Sequence, residues 1–100
     1  MIIANEIWTD TQLKNSIFFD DLKTENLRQL NKWGVQSHDI FRWLAFLVEE
    51  IGELSEAISE YTFREGKLRN IRREAIEASV LALKISDMAR EKIINKKETE

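Results

Sequence analysis

The chain has 100 residues, the size of one small domain, with 15 Lys plus Arg, 18 Asp plus Glu and a net charge of −3. That near-balance argues against a protein that binds nucleic acid by neutralising phosphates, and 43% hydrophobic residues argue against disorder. The absence of cysteine excludes a disulfide scaffold, a Cys-ligated metal and a thiol nucleophile. The longest apolar run, Trp43 to Val48, is too short to span a bilayer. The first lysine is Lys14, so the opening residues lack the basic start of a secretory signal. The expectation is one domain over residues 1–100, cytoplasmic, with no membrane and no nucleic-acid partner.

Proline is absent and glycine occurs only at 34, 52 and 66, so long helices joined by short loops are expected: an all-α fold. Residues up to about Asp10 show no clear period. From Thr11, Leu13, Ile17, Phe18, Leu22, Leu27, Leu30 and Trp33 give an interrupted helical spacing that ends at Gly34, a natural C′ residue. One helix, or two with a break near Phe19-Asp20-Asp21, both fit. Ser37 or Asp39 is expected to cap a second helix running to about Tyr61. A loop over residues 62–67 leads to a third helix from about Leu68 to Ile94, and the polar tail 95–100 is expected to fray.

On the second helix Ile40, Leu44, Leu47, Ile51, Leu54 and Ile58 follow i, i+3, i+4 spacing and predict one core stripe. Phe41, Trp43, Phe46 and Val48 fall outside it, so the first half is apolar nearly all round. The third helix is similar, with Ile71, Ile76, Val80, Leu81, Leu83 and Ile85 spread over most of the cylinder. A helix apolar on every side needs burial on every side, which a three-helix monomer of this length hardly provides. The pattern predicts a helical bundle completed by a second copy, a homodimer at least.

The acids within these helices carry the chemistry. Glu49, Glu53, Glu56 and Glu60 share one face, which by itself reads as a solvated acidic surface. Glu50 differs: it falls in a sector with Trp43, Phe46, Leu54, Ala57 and Tyr61, where a carboxylate is costly unless paired or holding a metal. Glu50 and Glu53 are one turn apart, as are Glu74 and Glu77, so two neighbouring helices can bring four carboxylates to one point. All-oxygen ligation of that kind suits Mg²⁺, which keeps waters and phosphate oxygens in its octahedral shell. With one histidine and no cysteine, zinc and copper are disfavoured. Residues 49–60 carry five Glu and no base, whereas residues 64–73 carry a local +4. That layout suits a metal–polyphosphate chelate, although Arg64, Lys67 and Arg69 fit equally well as cross-bundle ion pairs of at most about 1 kcal/mol each. Lys84, among Val80, Leu81, Leu83 and Ile85, calls for an anionic partner, either a site carboxylate or a phosphate.

E-E-x-x-E (Glu49, Glu50, Glu53), 20 intervening residues and a second acidic pair three apart (Glu74, Glu77) resemble the MazG-like branch of the all-α nucleoside triphosphate pyrophosphohydrolases. Lys32-Trp33-Gly34-Val35-Gln36-Ser37-His38 resembles that family's approach to its first motif. Leu47 to Ala57 is similar to its E-E-hydrophobic-G-E-hydrophobic run, and the likeness covers residues 30–89. The family usually has Asp where this chain has Glu77, which keeps the ligand class and lengthens the arm by a methylene.

The resemblance implies Mg²⁺-dependent hydrolysis of a (deoxy)nucleoside triphosphate to the monophosphate and pyrophosphate, with Mn²⁺ as an alternative ion. It implies helical dimers or tetramers with sites at subunit interfaces, and leaves two roles open, housecleaning of aberrant nucleotides and control of the nucleotide pool. By the same resemblance Glu50, Glu53, Glu74 and Glu77 hold the metal and Glu49 orients or deprotonates the attacking water. Lys84 and Arg73 are the phosphate candidates, and Trp33, His38 and Trp43 the base-contact candidates, the two tryptophans also fitting a core role. Two other readings are a relative acting on phosphoribosyl-ATP and a helical dimerisation or regulatory module without activity.

Overall fold

The computed structural model describes residues 16–96, which form three helices: α1 (Ser16–Trp33), α2 (Ile40–Phe63) and α3 (Leu68–Lys96). The opening residues to Asp10, the start at Thr11 and the tail beyond Lys96 lie outside the described residues. The fold is all-α, as composition predicts. α1 runs unbroken through Phe19-Asp20-Asp21. α2 and α3 pack along their lengths as a hairpin, and α1 lies mainly against α3. Among the described residues no helix is long and apolar enough to cross a membrane.

Local chemistry sets the ends of these helices. α1 stops at Gly34, whose φ of 72° suits a residue without Cβ and whose N–H donates to the Leu30 carbonyl at 2.7 Å. Of the two N-cap candidates for α2, Asp39 is the cap: its carboxylate accepts from the Arg42 N–H at 2.8 Å. At the other end of α2 the N–H groups of Arg64 and Gly66 both donate to the Glu60 carbonyl at 2.8 Å. This closure puts Glu65 at φ 64° and brings Gly66 so close that a Cβ there would lie 2.8 Å from Glu60 backbone and side-chain carbon.

The apolar stripe predicted for α2 is rotated relative to the face that packs. Leu44, Ile51 and Ile58 are 45%, 50% and 47% exposed, whereas Trp43, outside that stripe, is buried. α2 turns Trp43, Phe46, Leu47, Glu50 and Leu54 towards the rest of the chain. The phase follows from α3, which offers Glu74, Ala78 and Leu81 as its buried line. Among the described residues the buried hydrophobic side chains are only Trp43, Ala78, Val80 and Leu81. α1 is inverted: among its described side chains the buried ones are Glu25 and Gln29, while Leu27 and Trp33 are more than half exposed.

Candidate functional site

A cleft of about 880 Å³ opens between the three helices and the segment after α1. Its acidic lining is Glu49, Glu50, Glu53, Glu74, Glu77 and Asp87, against Arg28, Lys32 and Lys84. Trp33, His38, Trp43, Phe46 and Leu81 form the apolar and aromatic part of the wall.

The hairpin brings Glu50 from α2 to Glu74 and Glu77 from α3, with one oxygen of each within 4.8 Å of the other two. Glu53, the fourth expected ligand, stands exposed on the rim outside this group, though its charge still acts on Glu50. Glu49 is exposed and also lines the cleft. Burial pushes Glu50 up to about 8, aided by a hydrogen bond to Glu74 and by the charges of Glu77, Glu53 and Glu74. Burial also raises Glu77, with Glu74 and Glu25 adding to the effect and Arg28 and Arg73 opposing it. With the acids ionised, the buried Glu50 Oε2 and Glu74 Oε1 have no hydrogen-bond donor. Orphaned hard oxygens converging on one point fit a divalent cation with oxygen preference.

Two arginines flank this group. Arg28 Nη2 and Arg73 Nε each lie 3.9 Å from the same Oε2 of Glu77. Arg73 also pairs with Glu74 at 3.4 Å and lines a separate shallow depression beside Glu53, Glu56 and Glu60 instead of the main cleft. The structure therefore places this phosphate candidate beside the carboxylates but outside the lining of the main cleft. Of the basic residues held open for cross-bundle pairing, Arg64 pairs within its own helix end, with Glu60 at 3.0 Å.

Lys84 lies in the cleft wall, but its hydrogen-bond partner is a neutral amide. Its Nζ donates to Gln29 Oε1 at 2.6 Å and sits 5.2 Å from the Trp43 ring centroid. Burial lowers the Lys84 pKa, with the Glu25 charge partly restoring it. Gln29 Nε2 in turn donates to Glu25 Oε2 at 2.8 Å, and Arg28 grips the same carboxylate through Nε at 2.8 Å and Nη2 at 2.7 Å. Burial alone would raise the Glu25 carboxyl; the hydrogen bonds from Arg28 and Gln29 and the charges of Arg28 and Lys84 outweigh it and hold it below its ordinary value. Sequence reasoning missed Glu25, Arg28 and Gln29. Their one signal was Glu25 and Gln29 at i, i+4 spacing on an otherwise ordinary amphipathic helix.

The aromatic candidates divide. Trp33 is half exposed at the cleft mouth, with the Lys32 ammonium 4.7 Å and the Arg28 guanidinium carbon 5.9 Å from its ring centroid. His38 and Trp43 meet edge to face at 5.2 Å, and each meets Phe46 similarly at 5.3 and 5.6 Å. Buried in this nest, His38 Nε2 has no hydrogen-bond partner. Trp43 is thus both a core residue and a wall of the site. No family model, curated protein or solved structure matches this chain.

Proposed function

We propose that the protein is a Mg²⁺-dependent nucleoside triphosphate pyrophosphohydrolase. The observation that carries this reading is the convergence of Glu50, Glu74 and Glu77 in a cleft whose lining also includes Trp33, His38, Trp43 and Phe46. A polyphosphate alone is repelled by a lining with six acids against three bases, whereas its metal chelate is not. Glu50, Glu74 and Glu77 would hold the ion, with Glu53 at the rim. Mg²⁺ or Mn²⁺, once bound, neutralises charge on the phosphates and acidifies a coordinated water.

The chain's own groups do the rest. Glu49 accepts the proton of the attacking water, whose oxygen bonds to the α-phosphorus. The bond from that phosphorus to the bridging oxygen breaks, and pyrophosphate leaves with the electron pair. Lys84 steadies negative charge from the cleft wall. His38, Trp33 and Trp43 contact the nucleobase from the aromatic part of the cleft lining. A second copy of the chain covers the apolar side of α2, where Phe41 is 80% and Val48 58% exposed. Gly52 lies on the same side with open space where its Cβ would be, which allows close helix approach.

The test is pyrophosphate release from a panel of nucleoside triphosphates with Mg²⁺ and with excess EDTA. Metal-dependent turnover is expected, and Glu74→Gln should abolish it at unchanged helicity. The exposed apolar surface also suits a second reading, an inactive helical module. In that case neither Mg²⁺ nor Mn²⁺ would raise the melting temperature, since only a ligand of the native state does so.

A further inference from the structure

α1 buries the wrong residues for a helix whose only task is packing. Glu25 and Gln29 are 8% and 6% exposed, while Leu27 on the same helix is 58% exposed. A buried carboxylate is costly, and a pair three residues apart on one helix returns little in stability. What the burial of Glu25 does produce is a fixed guanidinium. Two parallel hydrogen bonds hold Arg28, and Gln29 donates to the same Glu25 Oε2 that takes Arg28 Nη2 while accepting from Lys84.

We infer that Arg28 binds a phosphate oxygen of the substrate's polyphosphate chain and that Glu25 is the positioning residue that aims it. This rests on the polyphosphate reading above. Arg28 is the one arginine in the cleft lining among the described residues. Its Nη2 stands 3.9 Å from Glu77 Oε2, too far for a hydrogen bond yet next to the carboxylates that suit a cation. Only two of its N–H groups are spent on Glu25, and the others have no protein acceptor among the described residues. The side chain remains 46% exposed, so a ligand can reach it. A planar guanidinium with spare donors, held in advance, matches phosphate geometry better than the ammonium of Lys84, which is already committed to Gln29. Pre-orientation by Glu25 removes the ordering cost that a free surface arginine would meet on binding.

The experiment is calorimetric titration of the full chain with inorganic tripolyphosphate in Mg²⁺, alongside steady-state kinetics. Arg28→Gln should weaken tripolyphosphate binding about tenfold or more and raise KM, with the Mn²⁺ affinity of the carboxylate group retained. Arg28→Lys should fall between the two, because it keeps the charge and loses the fork. Glu25→Gln should raise KM about threefold or more with Arg28 still present. Wild-type protein that hydrolyses triphosphates, with Arg28→Gln binding tripolyphosphate within twofold of wild type, overturns this inference alone. If Arg28→Gln does not fold, Arg28→Lys binding as tightly as wild type overturns it. Wild-type protein that neither binds tripolyphosphate nor hydrolyses any nucleotide overturns the proposed function and this inference with it.

Discussion

Glu50 and Glu74 offer carboxylate oxygens within 4.8 Å of each other across the α2–α3 seam, and each keeps a buried oxygen with no donor. Burial, and then the hydrogen bond that a protonated Glu50 shares with Glu74, push the Glu50 carboxyl up to about 8. Under the proposed function a divalent cation would take the place of that proton.

Stability without metal should fall as pH rises. Glu50 binds its proton more tightly folded than unfolded, so between about 4.5 and about 8 the native state carries more protons. The slope of unfolding free energy against pH is therefore negative over that window, and the raised Glu77 adds to it with the same sign. Melting scans in EDTA should lose on the order of 5 °C from the bottom to the top of the window. Saturating Mg²⁺ or Mn²⁺ should flatten the fall, and calorimetry in buffers of different ionisation enthalpy should show proton release on binding. A melting temperature that rises with pH in EDTA would contradict this arrangement.

Replacing Glu50 by Gln should separate stability from function. The amide mimics the protonated acid, so in EDTA at pH 8 the variant should melt several degrees above wild type. The same variant should lose the melting shift that Mg²⁺ or Mn²⁺ gives wild type, together with metal-dependent turnover. Equal cation shifts in both proteins would remove Glu50 from the proposed ligand set.

The α2–α3 turn places its glycine one position away from the left-handed residue. Glu65 occupies φ 64°, a conformation that costs most side chains about 1 kcal/mol relative to glycine. Glu65→Gly should therefore raise unfolding free energy by up to about 1 kcal/mol in urea titration. Gly66→Ala should lower it by about 1–3 kcal/mol, because the added Cβ would lie 2.8 Å from Glu60 atoms. The two substitutions should have opposite signs; the same sign would mean the turn is shaped otherwise.

If a second copy covers the exposed side of α2, as proposed, changing that side should change the oligomeric state. Phe41, Leu44 and Val48 are exposed on one side of the helix that also carries Gly52. Size-exclusion chromatography with light scattering should give a dimer or larger species for wild type at micromolar concentration. Val48→Asp should shift it towards monomer by weakening self-association about 100-fold or more, since a like charge enters both sides of a two-fold contact. A monomeric wild type would leave the apolar surface without the proposed occupant.

Much of the fold was legible because its determinants are local. The absence of proline, Gly34 as a C′ residue and Asp39 as an N-cap act within one turn of chain, and the helix ends follow them. Glu50 stood out for a local reason too, a carboxylate in a sector of Trp43, Phe46 and Leu54. The packed face of α2 was not legible. Its apolar residues cover nearly the whole circumference, so periodicity alone cannot choose between the line through Leu44 and Ile51 and the one through Trp43 and Leu54.

Composition and spacing alone thus determined an all-α chain with acids positioned to converge from two helices. Tertiary structure decided which acids meet: Glu50, Glu74 and Glu77 converge, while Glu53 remains on the rim. It also turned the polar edge of α1 inward, setting Glu25, Arg28 and Gln29 beside a site no motif had assigned them. The reason is physical. A helix wheel fixes angles within one helix, but the rotation of each helix about its axis is chosen by what its neighbours bury. On α1 that choice places a carboxylate and an amide inside and leaves a leucine in water.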